Sequence, residues 1–125
     1  MSKKQKNVLG GDLELCSSNP LTGWYRDGCC NTDDNDRGSH TVCAQVTQEF
    51  LEHLRDQGND LITPYRAHGF PGLKDGDKWC VCAASWRQAF LAGKGCPVVL
   101  ESTHASALRY VKLEELMAAS SASFN

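Results

Sequence analysis

Residues 41–58 read TVCAQVTQEFLEHLRDQG, and the spacing of apolar residues changes in the middle of this stretch. Up to Val46 the pattern alternates, with Val42, Ala44 and Val46 on one side and Thr41, Cys43 and Gln45 on the other. That is the period of a half-buried strand. After Val46 the apolar residues Phe50, Leu51 and Leu54 recur at helical spacing. Thr47 is placed to cap a helix, Glu49 suits its first turn, and Gly58 stops it.

A second unit repeats the logic. Asp75-Gly76 turns the chain into WCVCA, residues 79–83, with Trp79, Val81 and Ala83 on one face and Cys80 and Cys82 on the other. Ser85 and Gln88 match a capping box for a short helix carrying Trp86, Ala89 and Phe90 and ending at Gly93. Val98 to Leu100 reads as a short inner strand, and Thr103 as the cap of a turn or short helix running to Leu108. Leu113, Leu116 and Met117 give a last amphipathic helix with Glu114 and Glu115 in its first turn. Asn7–Leu9 and Leu13–Cys16, separated by Gly10-Gly11, have the character of an interrupted edge strand.

Two long segments have neither period. Residues 19–38 contain Trp24 and Tyr25 among turn residues, and residues 59–78 contain Tyr65 and Phe70 among prolines and glycines. Long structureless connections are uncommon in compact domains unless they are functional. Their aromatic content predicts ordered loops packed on each other or over a pocket. The expected fold is therefore α+β: a small mixed sheet of about three strands covered by short helices, with two long ordered loops. One domain over residues 7–117 is expected, with flexible termini at 1–6 and 118–125.

A length of 125 residues, 41% hydrophobic and 22% charged, fits one globular core that needs no covalent staple. A net charge of −2 lacks the basic footprint of a nucleic-acid binder. Lys3, Lys4 and Lys6 precede no apolar run, and no window is long enough to span a membrane. The expectation is a cytoplasmic protein with no nucleic-acid or membrane partner. In a reducing compartment most of the seven cysteines would be thiols, so a disulfide framework is not expected.

The strings GGDLELC, PLTGWYRDGCC, DRGSHTVCA, GNDLITP, FPGLKDGDKWCVCA and VVLESTH are distinctive. From about Asn7 to Met117 the chain resembles the domain of unknown function 2237 family, small bacterial proteins with no assigned activity. The resemblance implies no substrate or cofactor. The chain departs from the family pattern at Ser85, where an arginine commonly precedes the tryptophan, and at Cys96, where a small residue is usual.

Three chemistries compete with structural roles for the polar residues. Cys43 or Cys80 as nucleophile, with His40 or His104 as base, is the thiol reading, so His40, Cys43 and His104 are the catalytic candidates. Adjacent Cys29-Cys30 is a further redox candidate, as a strained disulfide. His40, Cys43, Cys80 and Cys82 are the metal candidates, and zinc is the cofactor such ligands would take, although adjacent cysteines and C-x-C are poor zinc spacings. Arg26, Asp36, Asp60, Asp77 and Trp79 are the candidates for binding a small molecule, because they sit on loops or element ends. Against these stand buried thiols, local capping by Asp and Asn, and a protein that only scaffolds or interacts. The Arg26–Cys43 loop meeting the 79–82 strand is where a composite site is expected.

Overall fold

Both periodic units fold as strand then helix. In the computed structural model, which describes residues 5–120, β1 spans His40–Gln45, α1 Gln48–Asp56, β2 Lys78–Cys82, α2 Ala83–Leu91 and α3 Leu113–Ala118. Short 3₁₀ turns lie at Arg66–His68, Leu100–Ser102 and Ala105–Arg109. No helix among the described residues is long and apolar enough to cross a membrane.

β1 and β2 pair antiparallel as a two-stranded sheet, with Val42 opposite Val81, Cys43 opposite Cys80 and Ala44 opposite Trp79. The expected third strand does not form as an element. Val98 makes single bridges to Ala44 and Ser120, Gln45 N donates to Pro97 O at 2.8 Å, and Val99 N to Cys43 O at 2.9 Å. The chain then tightens into the turn at Leu100, so the pairing stops after one rung. The 7–16 segment likewise makes isolated bridges, Lys6 to Asp12 and Asn7 to His104, rather than a strand.

The caps follow local chemistry. Thr47 accepts from Phe50 N at 3.1 Å, as its position predicts. α2 starts three residues earlier than the Ser85 capping box implies: Cys82 is its N-cap, and Ala83 N is already committed to Ser39 O at 3.0 Å. Thr103 does not cap the following turn. His104 does, and Thr103 Oγ1 instead donates to Val99 O at 2.8 Å and accepts from Cys43 N at 3.1 Å.

β1 is buried on both faces, not one. Val42, Ala44, Trp79, Val81 and Ala83 face the main core, where Trp86, Phe50, Leu51, Leu54, Leu116 and Val111 are almost completely excluded from solvent. The other face carries Cys43 and Cys80, which pack with Cys16, Cys30 and Val99. Cys16 is bonded to Cys43 and Cys30 to Cys80, with Cα separations of 5.8 and 5.4 Å. The expectation of unstapled thiols is thereby corrected. A face whose covering comes from loops has no helix to supply a layer of hydrocarbon, and cross-links fill that role. The vicinal pair does not close on itself either, since Cys29, Cys82 and Cys96 are the free cysteines.

Of the expected loose ends, residues 1–4 and 121–125 lie outside the described residues. Within them, Leu13 N donates to Gln5 O at 2.9 Å, and α3 reaches Ala118.

Candidate functional site

The two aperiodic loops meet along β2. Gly23, Trp24 and Arg26 from the first loop, and Asn59 to Leu61, Tyr65, His68 and Phe70 from the second, enclose with His40 and residues 79–82 a cavity of about 350 Å³. The first loop is fixed from beneath by the Cys30–Cys80 bond and by Thr22, whose buried Oγ1 accepts from Cys80 N at 2.9 Å. The second closes on itself through paired amides and carbonyls of Tyr65 and Phe70, and Leu73 N donates to Leu61 O at 2.8 Å.

The walls are aromatic. Phe70 meets Trp79 edge to face at 5.2 Å, His68 stacks on Tyr65 at 4.7 Å, and Trp24 lies nearly parallel to His40 at 6.1 Å. Arg26 puts its guanidinium 5.2 Å from the centre of Trp79, and its Nη1 donates to Gly23 O at 2.8 Å. Its φ of 55° is left-handed, a conformation that costs a side-chain-bearing residue on the order of 1–2 kcal/mol. Arg26 makes no ion pair among the described residues.

His40 is held on three sides. Its Nδ1 lies 2.6 Å from Asp36 Oδ1, and its backbone N donates to Asp36 Oδ2 at 2.9 Å. Thr32 Oγ1 donates to the same oxygen, also at 2.9 Å. In the neutral ring, a carboxylate acceptor at Nδ1 fixes the tautomer in which Nδ1 carries the hydrogen and Nε2 the lone pair. The Asp36 side chain is fully buried while that of His40 is 41% exposed, so the carboxylate is a support behind the ring. Gly38 flanks the ring on another side: a Cβ there would stand 2.8 Å from His40 Cε1. On β2, Cys82 is the Cα partner of His40, and the ladder bulges between His40 and Val42.

Each expected site residue now has a place. Arg26, Asp60, Trp79, His40, Cys80 and Cys82 line the cavity. Asp60 spends its carboxylate on the amides of Ile62 and Thr63 at 2.9 and 3.0 Å, and the Thr63 hydroxyl and these amides hold it below the usual carboxylate range. Asp77 is elsewhere, accepting from Lys74 N at 3.0 Å in a turn. Cys43 and Cys80, expected as nucleophiles or metal ligands, are cross-linked and carry no thiol. The sulfurs of Cys16, Cys30 and Cys80 lie within 4.8 Å of one another, so a cysteine cluster exists, but not the set His40, Cys43, Cys80, Cys82. His104 lines a separate polar cavity of about 310 Å³ with Asp36, Ser39 and Arg109. Its Nδ1 accepts from Ser106 N at 2.9 Å, and burial, then the Arg109 charge, lowers its pKa.

The sequence missed His68 as a wall residue, because a histidine in an aperiodic loop gives no signal of what it faces. It missed Cys16 as a bonded partner for the same reason. His53 Nε2 on α1 lies 3.0 Å from Gln88 Oε1 of α2, away from this site.

A two-stranded ladder with helices on one face, a sulfur cluster on the other and a loop-walled cavity along its edge defines a small cross-linked domain of mixed helix and strand. The family described as an uncharacterised protein conserved in bacteria, DUF2237, matches residues 6–120, and the chain belongs to it. No curated protein matches the chain.

Proposed function

We propose that this protein binds a small, flat, mainly apolar molecule carrying one anionic group, in the cavity between the two loops and β2. The observation that carries the proposal is Arg26. A guanidinium has five donor hydrogens, and here one contact goes to Gly23 O, no carboxylate among the described residues neutralises it, and an aromatic face lies beneath it. Trp24, Tyr65 and Phe70 offer flat apolar surface beside that cation. A cavity of this size suits a small metabolite rather than a polymer.

Tryptophan fluorescence tests this, since Trp24 and Trp79 both line the cavity. Phenylacetate should quench saturably, benzylamine should not, and Arg26→Ala should abolish the difference. Equal effects of both probes, or none from either, would leave the competing class of interaction or scaffold protein as the better account.

We keep a cytoplasmic location and zinc together as one second reading, motivated by the sulfur cluster. In a reducing compartment the bonded sulfurs would be thiols. Only then would they offer a cation the negative charge that a disulfide lacks. Elemental analysis and thiol counting on untagged protein from a reducing lysate test it. Absence of stoichiometric zinc removes this reading.

A further inference from the structure

Sequence reading put the nucleophile at Cys43 or Cys80, both of which are cross-linked. The third cysteine of the neighbourhood is not. Cys82 is a free thiol at the cavity wall, opposite His40 on the neighbouring strand. Side chains at directly opposed antiparallel positions have Cβ atoms only about 4.5–5.5 Å apart, so that, although Cys82 and His40 share no hydrogen bond in this structure, a side-chain rotation brings the thiol to an imidazole nitrogen. The nitrogen available is Nε2, because Asp36 occupies Nδ1. Trp24 and Gly38 confine the ring that presents it.

Cys82 is also the N-cap of α2, a helix of nine residues. It provides no side-chain cap, so the first-turn amides of Ala84 and Ser85 keep their hydrogens for another acceptor. Partial positive charge at this end favours a developing oxyanion. A free thiol, an imidazole, a buried carboxylate and two uncapped amides are thus brought together by three features: the 36–40 turn, the β1–β2 rung and the start of α2.

We propose that Cys82 is the nucleophile of an acyl-transfer site, with His40 as its general base and Asp36 as the residue that positions His40. This rests on the ligand reading above, and it narrows the ligand to an ester or thioester of an apolar acid that carries its anionic group elsewhere in the molecule, on Arg26. The thiol proton passes to His40 Nε2 as Sγ attacks the carbonyl carbon. The bond to the leaving group breaks, the leaving group takes that proton, and a thioester remains on Cys82. Water, giving its proton to His40, then attacks the thioester and releases the acid, and the proton returns to the sulfur. No oxidant or reductant is required.

The chain carries its own control. Cys29 is a second, partly exposed free thiol outside this arrangement, whereas Cys96 is buried. The test is 4-nitrophenyl acetate on the cross-linked protein, with nitrophenolate release followed over time and adducts mapped by peptide mass spectrometry. The expected result is acetylation of Cys82 well ahead of Cys29, lost in Cys82→Ser and slowed roughly 100-fold or more in His40→Ala. Asp36→Asn should lower the acylation rate at saturating ester without changing the half-saturating concentration. It should also move the His40 ring 15N shifts toward the other tautomer, a change that simple loss of stability would not produce. Gly38→Ala, which crowds the ring and leaves every reacting group in place, should slow acylation as well.

Acetylation of Cys29 at a rate equal to or above that of Cys82, or a His40→Ala rate equal to wild type in protein with an unchanged melting curve, would overturn the proposal. The two readings fail separately. Selective phenylacetate quenching with an inert Cys82 leaves the pocket and removes the nucleophile. A fast, His40-dependent Cys82 with no selective quenching keeps the nucleophile and removes the anionic-ligand pocket.

Discussion

The two faces of the β1–β2 ladder are stabilised by different means. One face is hydrocarbon: Val42, Ala44, Trp79 and Val81 pack on helices whose apolar residues recur at regular spacing. The other is sulfur: Cys43 and Cys80 reach to Cys16 and Cys30, which sit in loops with no period at all. The first face is held by area removed from water, at about 25 cal/mol per Å² of apolar surface. The second is held by restricting the unfolded chain and by single hydrogen bonds that the amides of Cys43 and Cys80 donate to buried threonines. The contrast teaches that an ordered loop does not require a hydrophobic stripe, provided that covalent and polar ties replace it.

The most damaging way to break the comparison is to reduce both disulfides. The Cys30–Cys80 bond closes a sequence separation of 50 residues and Cys16–Cys43 one of 27. Chain-entropy arguments assign about 4 kcal/mol to the longer loop alone. Thermal unfolding with and without reductant should show a large drop in Tm, and hydrogen exchange should show the 16–36 region opening before α1 and α2. Simultaneous loss of the helices would mean that the two faces are one cooperative unit.

Trp86→Ala attacks the hydrocarbon face instead. Its ring is fully buried, stacks on Phe90 at 5.1 Å, and donates from Nε1 to Cys96 O at 3.2 Å. A loss of about 3 kcal/mol or slightly more is expected in denaturant titration. Thr22→Val is smaller and belongs to the sulfur face: it strands the Cys80 amide, for an expected loss of about 1–3 kcal/mol. It should disturb the cavity more than its stability cost implies, which phenylacetate quenching reads out.

The smallest effect is one of pH. Burial, then the Arg109 charge, lowers the pKa of His104 from its ordinary value of 6.5, so the folded state favours the neutral ring. The unfolded chain therefore binds more protons between the two pKa values. This group's contribution is whole above pH 6.5 and is lost as the pH falls through the lower folded value. His104→Gln should flatten that part of the stability curve. An unchanged curve would show that another group governs it.

What could be read in the sequence tracks the same division. α1 and α3 were legible because burial on one side imposes a period, β1 and β2 because hydrocarbon alternates with sulfur and polar side chains along them, and Thr47 because capping is local. The meeting of both long loops over a cavity was legible from Trp24, Tyr65 and Phe70, large apolar rings in segments without a period, which line its walls. The pairings Cys16–Cys43 and Cys30–Cys80 were not, because Cys16 and Cys30 sit in segments without a period and so carry no register. Nor was the choice of Cys82 over its neighbours, since it depends on which cysteines are already bonded. Val98 misled for a simpler reason: an apolar residue at the right place makes a bridge without the repeats that would make a strand.

The bulge beside His40 has one more consequence. On β2 the ladder advances one residue, from Cys82 to Val81, while on β1 it advances two, from His40 to Val42. The surplus residue, Thr41, goes wholly inside, where its hydroxyl meets Ser39, and His40 is left at the cavity. A single rung thus serves two rooms, and it does so by count rather than by composition. Deleting residue 41 would leave every side chain of the site in the chain and still rearrange the approach of the imidazole to Cys82. The arrangement is encoded in the length of the strand as much as in the letters that spell it.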